Sequence, residues 1–269
     1  MKIKINHTTT YSYESVVPKL IQCLKLYPTA CNNQNILEWE IKSSSGKIVD
    51  SHTDALGHKI VNIFNNNLNG KLKITSRGVV KTRDYSGVVK GLKEKVNPLC
   101  FLRETSLTKP CANIEKICKM ATKKNSDLID FIHRLNLIVS DSIKYSEGST
   151  NTSTCSKQAL RQGKGVCQDF AHILISAARF MNLPARYING FLFEDSNSGE
   201  NSTHAWTEIY IKELGWVAFD PSHKKCIDQT YVRISAGLDF LDASMIKGIK
   251  TNYNGSELLE SKVFINYCQ

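Results

Sequence analysis

Apolar and polar side chains alternate with a period of two at the start of this chain, and that pattern commits the region to β-structure. Ile3, Ile5, His7, Thr9 and Tyr11 fall on one face; Lys4, Asn6, Thr8 and Thr10 fall on the other, as a half-buried strand requires. Further strand-like runs follow at Leu20–Tyr27, Ile36–Ile41, His58–Phe64 and Leu72–Val80. Turn formers separate them: Pro28, the cluster at 43–46, Gly57 and the asparagine tract at 65–70. Short strands at this spacing predict an antiparallel sheet or sandwich over residues 1–84.

The period then changes. Residues 85–125 carry weak patterning broken by Asn97-Pro98 and Lys109-Pro110, which reads as a helical connector. Ser126-Asp127 offers a helix N-cap before a stripe of Leu128, Ile129, Ile132, Leu135 and Ile138. A polar, loop-like stretch occupies 145–162. Phe170, Ile173, Leu174, Ala177, Ala178 and Met181 then recur at helical steps until Pro184. Strands are expected at 185–193, 205–212 and 216–219, with weaker ones at 231–234 and 262–267. The chain therefore divides into an N-terminal β domain (1–84), a connector (85–125) and an α+β core (126–269) that keeps the C-terminal strands.

Three residues in that core stand where acyl-transfer chemistry would need them. Cys167 follows Gly163-Lys-Gly-Val166 and opens a helix, where the positive end of the dipole favours a thiolate. The glycines would let another backbone, or a substrate carbonyl, approach closely, and the Cys167 N–H is a candidate donor to its oxyanion. His204 begins one strand and Asp220 ends the next, so a hairpin could place imidazole beside carboxylate. Taken singly, each has a plainer reading: a buried cysteine, a satisfied structural histidine, a turn aspartate before proline.

Their surroundings are more specific. Gly165-Val-Cys-Gln-Asp-Phe-Ala-His172, Leu183-Pro-Ala-Arg-Tyr187, Thr203-His-Ala-Trp-Thr-Glu208 and Gly215-Trp216 with Asp220-Pro-Ser222 occur in order. Together they resemble the transglutaminase-like superfamily, as does the lead-in at Tyr145, Gly148-Ser-Thr150 and Ala159-Leu160. The region from His7 to Pro28, with Asp54-Ala-Leu-Gly57, is similar to the N-terminal region of bacterial transglutaminase-like cysteine proteases. Ser222 stands where that family commonly has Thr. The resemblance implies a papain-like core, its nucleophile on a helix packed against an antiparallel sheet. It implies Cys167 as nucleophile, His204 as general base then acid, and Asp220 as the residue orienting His204. Gln168, Trp206 and Trp216 become candidates for the substrate groove, with core packing the simpler reading of the tryptophans. His172 lies five positions after Cys167, about 140° around an ideal helix, and is expected to be structural.

Composition narrows the alternatives. The net charge is +10 and the pI about 9.1, but the lysines are scattered and no nucleic-acid recognition motif accompanies them. Nucleic acid is therefore not an expected partner. No apolar run approaches the ~20 residues that span a bilayer, and the N-terminus has no apolar leader, so the reading is a cytoplasmic protein without membrane association. Its nine cysteines would then be reduced. No cysteine pair has zinc-site spacing, so no metal or cofactor is expected. The expected activity is cysteine-dependent hydrolysis of a peptide or protein amide through a thioester. The alternatives are transfer to an amine, as in a protein-glutamine transglutaminase, and a non-catalytic peptide-binding module.

Overall fold

The computed structural model describes residues 1–194 and 202–268. The N-terminal strands are β1 (Lys2–Tyr13), β2 (Val17–Leu24), β3 (Gln34–Ser43), β4 (Lys47–Thr53), β5 (Lys59–Leu68) and β6 (Lys71–Thr82). The alternation in β1 is realised as read: Ile3, Ile5, His7, Thr9, Tyr11 and Tyr13 are all buried. These strands make two antiparallel sheets rather than one, because β2 and β5 pair with each other while β1 and β6 pair separately.

Four helices follow: α1 (Ala112–Ala121), α2 (Leu128–Ser142), α3 (Ser156–Gln162) and α4 (Cys167–Phe180). Asp127 caps α2, its Oδ1 accepting from the Asp130 N–H at 2.8 Å. The short α3 lies within 145–162, where the polar sequence predicts a loop. It starts on the Cys155 N–H donating to Gln158 Oε1 at 2.9 Å and stops at Gly163, whose φ of 64° is left-handed. Helix α4 shows why its stripe was only half of the pattern. Every residue from Asp169 to Arg179 is buried, including the polar His172, Ser176 and Arg179, so the helix is central rather than amphipathic.

The sheet against α4 contains β7 (Ala185–Leu192), β8 (Thr203–Ile211), β9 (Gly215–Asp220) and β10 (Tyr231–Gly237), in the order β9-β8-β7-β10. Two-residue segments, Lys225–Cys226 and Val88–Val89, extend it beyond β9. Strands β7 and β10 are buried along their whole length. One face of the sheet meets α4 and α2. Phe191 of β7 and Val232 and Ile234 of β10 instead join the apolar core of the N-terminal sheets.

The division at residue 126 needs correcting. Strand β11 (Ile246–Thr251) pairs with β2, and β12 (Glu257–Cys268) pairs with β1 over all twelve of its residues. The C-terminal strands thus return to the N-terminal sheets, burying Val263 and Ile265 there. Nor is 85–125 merely a connector, since α1 packs into the same core cluster as α2 and α4. Among the described residues, no helix is long and apolar enough to cross a membrane.

Candidate active site

The site is assembled where α4 begins and the β8–β9 hairpin ends. Cys167 is the first residue of α4, so its N–H is one of those with no acceptor within the helix. Asp169 locks this start: its Oδ2 accepts from the Val166 N–H at 2.8 Å and from Thr150 Oγ1 at 2.6 Å. A Cβ on Gly165 would lie 2.7 Å from the Cβ of Asp169. That glycine therefore makes room for the capping side chain. The lead-in segment is tied to the same loop, since the Ser146 N–H donates to the Gly165 carbonyl at 2.9 Å.

Across from the thiol, β8 and β9 turn through a tight link in which the Leu214 N–H donates to the Ile211 carbonyl and Gly215 adopts a φ of 80°. The register pairs Thr207 with Phe219. One step further puts Asp220 level with Trp206 and makes His204 its diagonal neighbour on the same face. His204 Nε2 lies 2.6 Å from Asp220 Oδ2, with His204 only 8% exposed and Asp220 fully buried. Cys167 lies close enough to the ring to favour its charged form. Burial alone would depress the His204 pKa, but the bond to Asp220 and the nearness of Cys167 outweigh it and lift the value to about 10. Burial likewise works against the Asp220 carboxylate, yet the His204 and His223 bonds hold it well below the usual range.

Asp220 is used completely. Besides His204, its Oδ2 accepts from the Tyr231 hydroxyl at 2.8 Å and from His223 Nδ1 at 2.9 Å. Its Oδ1 accepts from the N–H and hydroxyl of Ser222, at 2.9 and 2.6 Å. Tyr231 and His223 were missed in the sequence. Tyr231 sits in one of the weaker strand signals. His223 carried a signal, since a turn starting at an Asp brings the residue three positions on back to the carboxylate. Three donor atoms of His204, Asp220 and His223 lie within 4.8 Å of one another. The two ring nitrogens instead engage the same carboxylate oxygen, His204 Nε2 at 2.6 Å and His223 Nδ1 at 2.9 Å, as hydrogen bonds.

The remaining candidates separate clearly. Gln168 is half-buried, its side-chain amide 3.4 Å from the Asn151 carbonyl, next to Cys167. Trp206 and Trp216 are 0% and 4% exposed. They do not wall a groove: Trp206 stacks on His204 and meets Tyr231 edge-on, while Trp216 lies 3.8 Å from the Arg186 guanidinium. His172 is fully buried, accepts from the Phe240 N–H at 3.1 Å, and burial takes its pKa down to about 4. Glu208 is an anchor, bonded to Arg186 Nε at 2.6 Å and Arg233 Nε at 2.8 Å.

Comparison with known proteins places this geometry. Residues 115–221 match the transglutaminase-like superfamily, and residues 3–81 match the bacterial transglutaminase-like N-terminal region. An uncharacterized protein of Mycobacterium leprae is 24% identical over 96% of each chain. One from Mycobacterium bovis is 30% identical over 45% of this chain and 42% of its own length. The fold is that of a solved structure from Cytophaga hutchinsonii, described as a proposed cysteine protease. The two superpose with a TM-score of 0.76 at 22% identity, covering 100% of this chain and 92% of that one.

Proposed function

Because the chain carries a transglutaminase-like core behind a bacterial transglutaminase-like N-terminal region, we propose that it is a cysteine-dependent amide hydrolase acting on peptides or proteins. The observation that carries this reading is the buried His204, held at 2.6 Å by Asp220 and close enough to Cys167 for the thiol to favour its charged form. In the proposed reaction the Cys167 thiolate attacks the amide carbonyl, and the oxyanion forms near the Cys167 N–H. His204 gives its proton to the departing amine, leaving a thioester. It then takes a proton from water as the hydroxide adds, and the acid departs as the thiolate reforms.

Water is favoured over an amine as acceptor by the net charge of +10, which disfavours accumulation of cationic amines. All nine cysteines are free thiols, which suits a reducing compartment, and the proposed location is the cytoplasm. Two measurements test the assignment. Limiting iodoacetamide followed by peptide mapping should label Cys167 before the other eight thiols; uniform labelling removes it as nucleophile. Mass spectrometry of products from a peptide-amide library, with primary amine at millimolar concentration, should find mainly the acid. A dominant amide product would reassign the enzyme as a transferase and leave the nucleophile untouched.

A further inference from the structure

His223 lies outside the Cys167–His204–Asp220 set, yet both of its ring nitrogens face carboxylates. Nδ1 is 2.9 Å from Asp220 Oδ2, and Nε2 is 3.1 Å from Glu194 Oε1. An ionised carboxylate only accepts, and a neutral imidazole has one N–H. This arrangement therefore satisfies both contacts only if the ring carries both protons. His223 is about one-third exposed and lies edge-on to His204, their ring centroids 5.1 Å apart.

Charges consequently alternate through successive contacts: cationic His204, Asp220, cationic His223, Glu194. The groups facing His223 come from three elements: Asp220 and Ser222 from its own turn, His204 from β8, and Glu194 from the segment after β7. Tyr231 of β10 reaches the shared Asp220 oxygen. The neighbouring Lys224 and Lys225 are turned away onto Asp141 and Asp228.

We propose that His223 is a positioning residue for this chemistry: held as an imidazolium between Asp220 and Glu194, it draws charge off Asp220 and keeps His204 acidic enough to protonate a leaving amine. The argument rests on the hydrolase reading above. A His204 held cationic up to about pH 10 is a reluctant acid near neutrality, where a general acid works best with a pKa close to the working pH. A second cation on the same carboxylate oxygen opposes that excess, because like charges disfavour one another's protonated forms. The bond to Asp220 leads the causes that raise the pKa of His223 itself, and the His204 charge opposes them.

The test compares leaving groups. An amide must receive the His204 proton to leave, whereas the 4-nitrophenolate of 4-nitrophenyl acetate leaves without one. His223→Asn keeps an N–H for Asp220 but removes the charge. It should lower kcat/KM for an acetylated peptide amide by roughly tenfold, a part of the ~10²–10⁴ that acid catalysis supplies. Acylation by 4-nitrophenyl acetate and alkylation of Cys167 by iodoacetamide should change by less than about twofold on the same reasoning. In the wild type the amide-to-ester rate ratio should fall as pH rises through the titration of His223; in His223→Asn that fall should be absent. Equal losses on amide and ester would make the residue merely structural and overturn the proposal, as would no loss on either. ¹⁵N NMR of the wild-type imidazoles at pH 7 decides the charge state without any substrate. A His223 with one unprotonated nitrogen there sinks the inference whether or not the hydrolase reading stands.

Discussion

Asp220 illustrates how much one buried side chain is asked to hold. Its two oxygens fix the turn through Ser222, the ring of His204, and the hydroxyl of Tyr231. Asp220→Asn preserves shape but presents an amide to His204 and so favours the wrong tautomer. By analogy with the serine-protease triad, amide hydrolysis should fall by about four orders of magnitude. A variant within tenfold of wild type would remove Asp220 from the mechanism. The same substitution reports on stability. The His204 pKa is raised from 6.5 to about 10 in the folded state, so its stabilising effect is full below about pH 6.5 and lost as pH rises towards 10. Urea denaturation should therefore find the wild type furthest above Asp220→Asn near pH 6, with the gap closing by pH 10. A gap that is flat or widening with pH would mean that His204 is not cationic in the folded protein.

At the scale of the element, the start of α4 needs more than helix propensity. The helix is buried on all sides, and each of its fully buried Leu and Ile side chains contributes ~1.5–3 kcal/mol through burial, so its existence is secure. The direction in which Cys167 points depends instead on the cap made by Asp169 with Val166 and Thr150. Asp169→Ala should cost ~1–2 kcal/mol in chemical denaturation. It should reduce Cys167 alkylation and amide hydrolysis together, since a nucleophile displaced by an ångström loses its alignment. Loss of stability with unchanged alkylation would show that the loop holds Cys167 by other means.

At the scale of the whole molecule, a buried ionic cluster joins the N-terminal sheets to the sheet that packs on α4. Glu208 of β8 receives Arg186 of β7 and Arg233 of β10, and Arg233 Nη1 donates to Thr29 Oγ1 at 2.8 Å. Gln34 of β3 accepts from the Arg233 N–H and donates to the Arg233 carbonyl. Glu208→Ala would leave two buried guanidinium groups without their shared carboxylate. Breaking such a cluster costs ~3–5 kcal/mol, and urea denaturation should show that loss as one cooperative transition. Two separated transitions would mean that the N-terminal sheets fold independently of the core.

Periodicity and chemistry were local enough to be read directly. The alternation in β1, the cap at Asp127 and the apolar steps along α4 depend on neighbours within a few positions, and so does the order of motifs around Cys167, His204 and Asp220. Other features depend on partners far along the chain. Strand β12 carries no mark that it belongs beside β1, more than two hundred residues earlier, because backbone hydrogen bonds between strands are indifferent to sequence. Trp206 and Trp216 look the same in the sequence whether they wall a groove or fill a core; only the packing of Tyr231 and Arg186 against them decides. The same holds for His223. Its spacing from Asp220 is local, but its contact with Glu194, twenty-nine positions away, exists only once β7, β8 and β9 lie side by side. Residue types and short spacings determined which chemistry this chain can host, while long-range pairing decided which charges surround it, since electrostatic contacts follow distance in space and not along the chain.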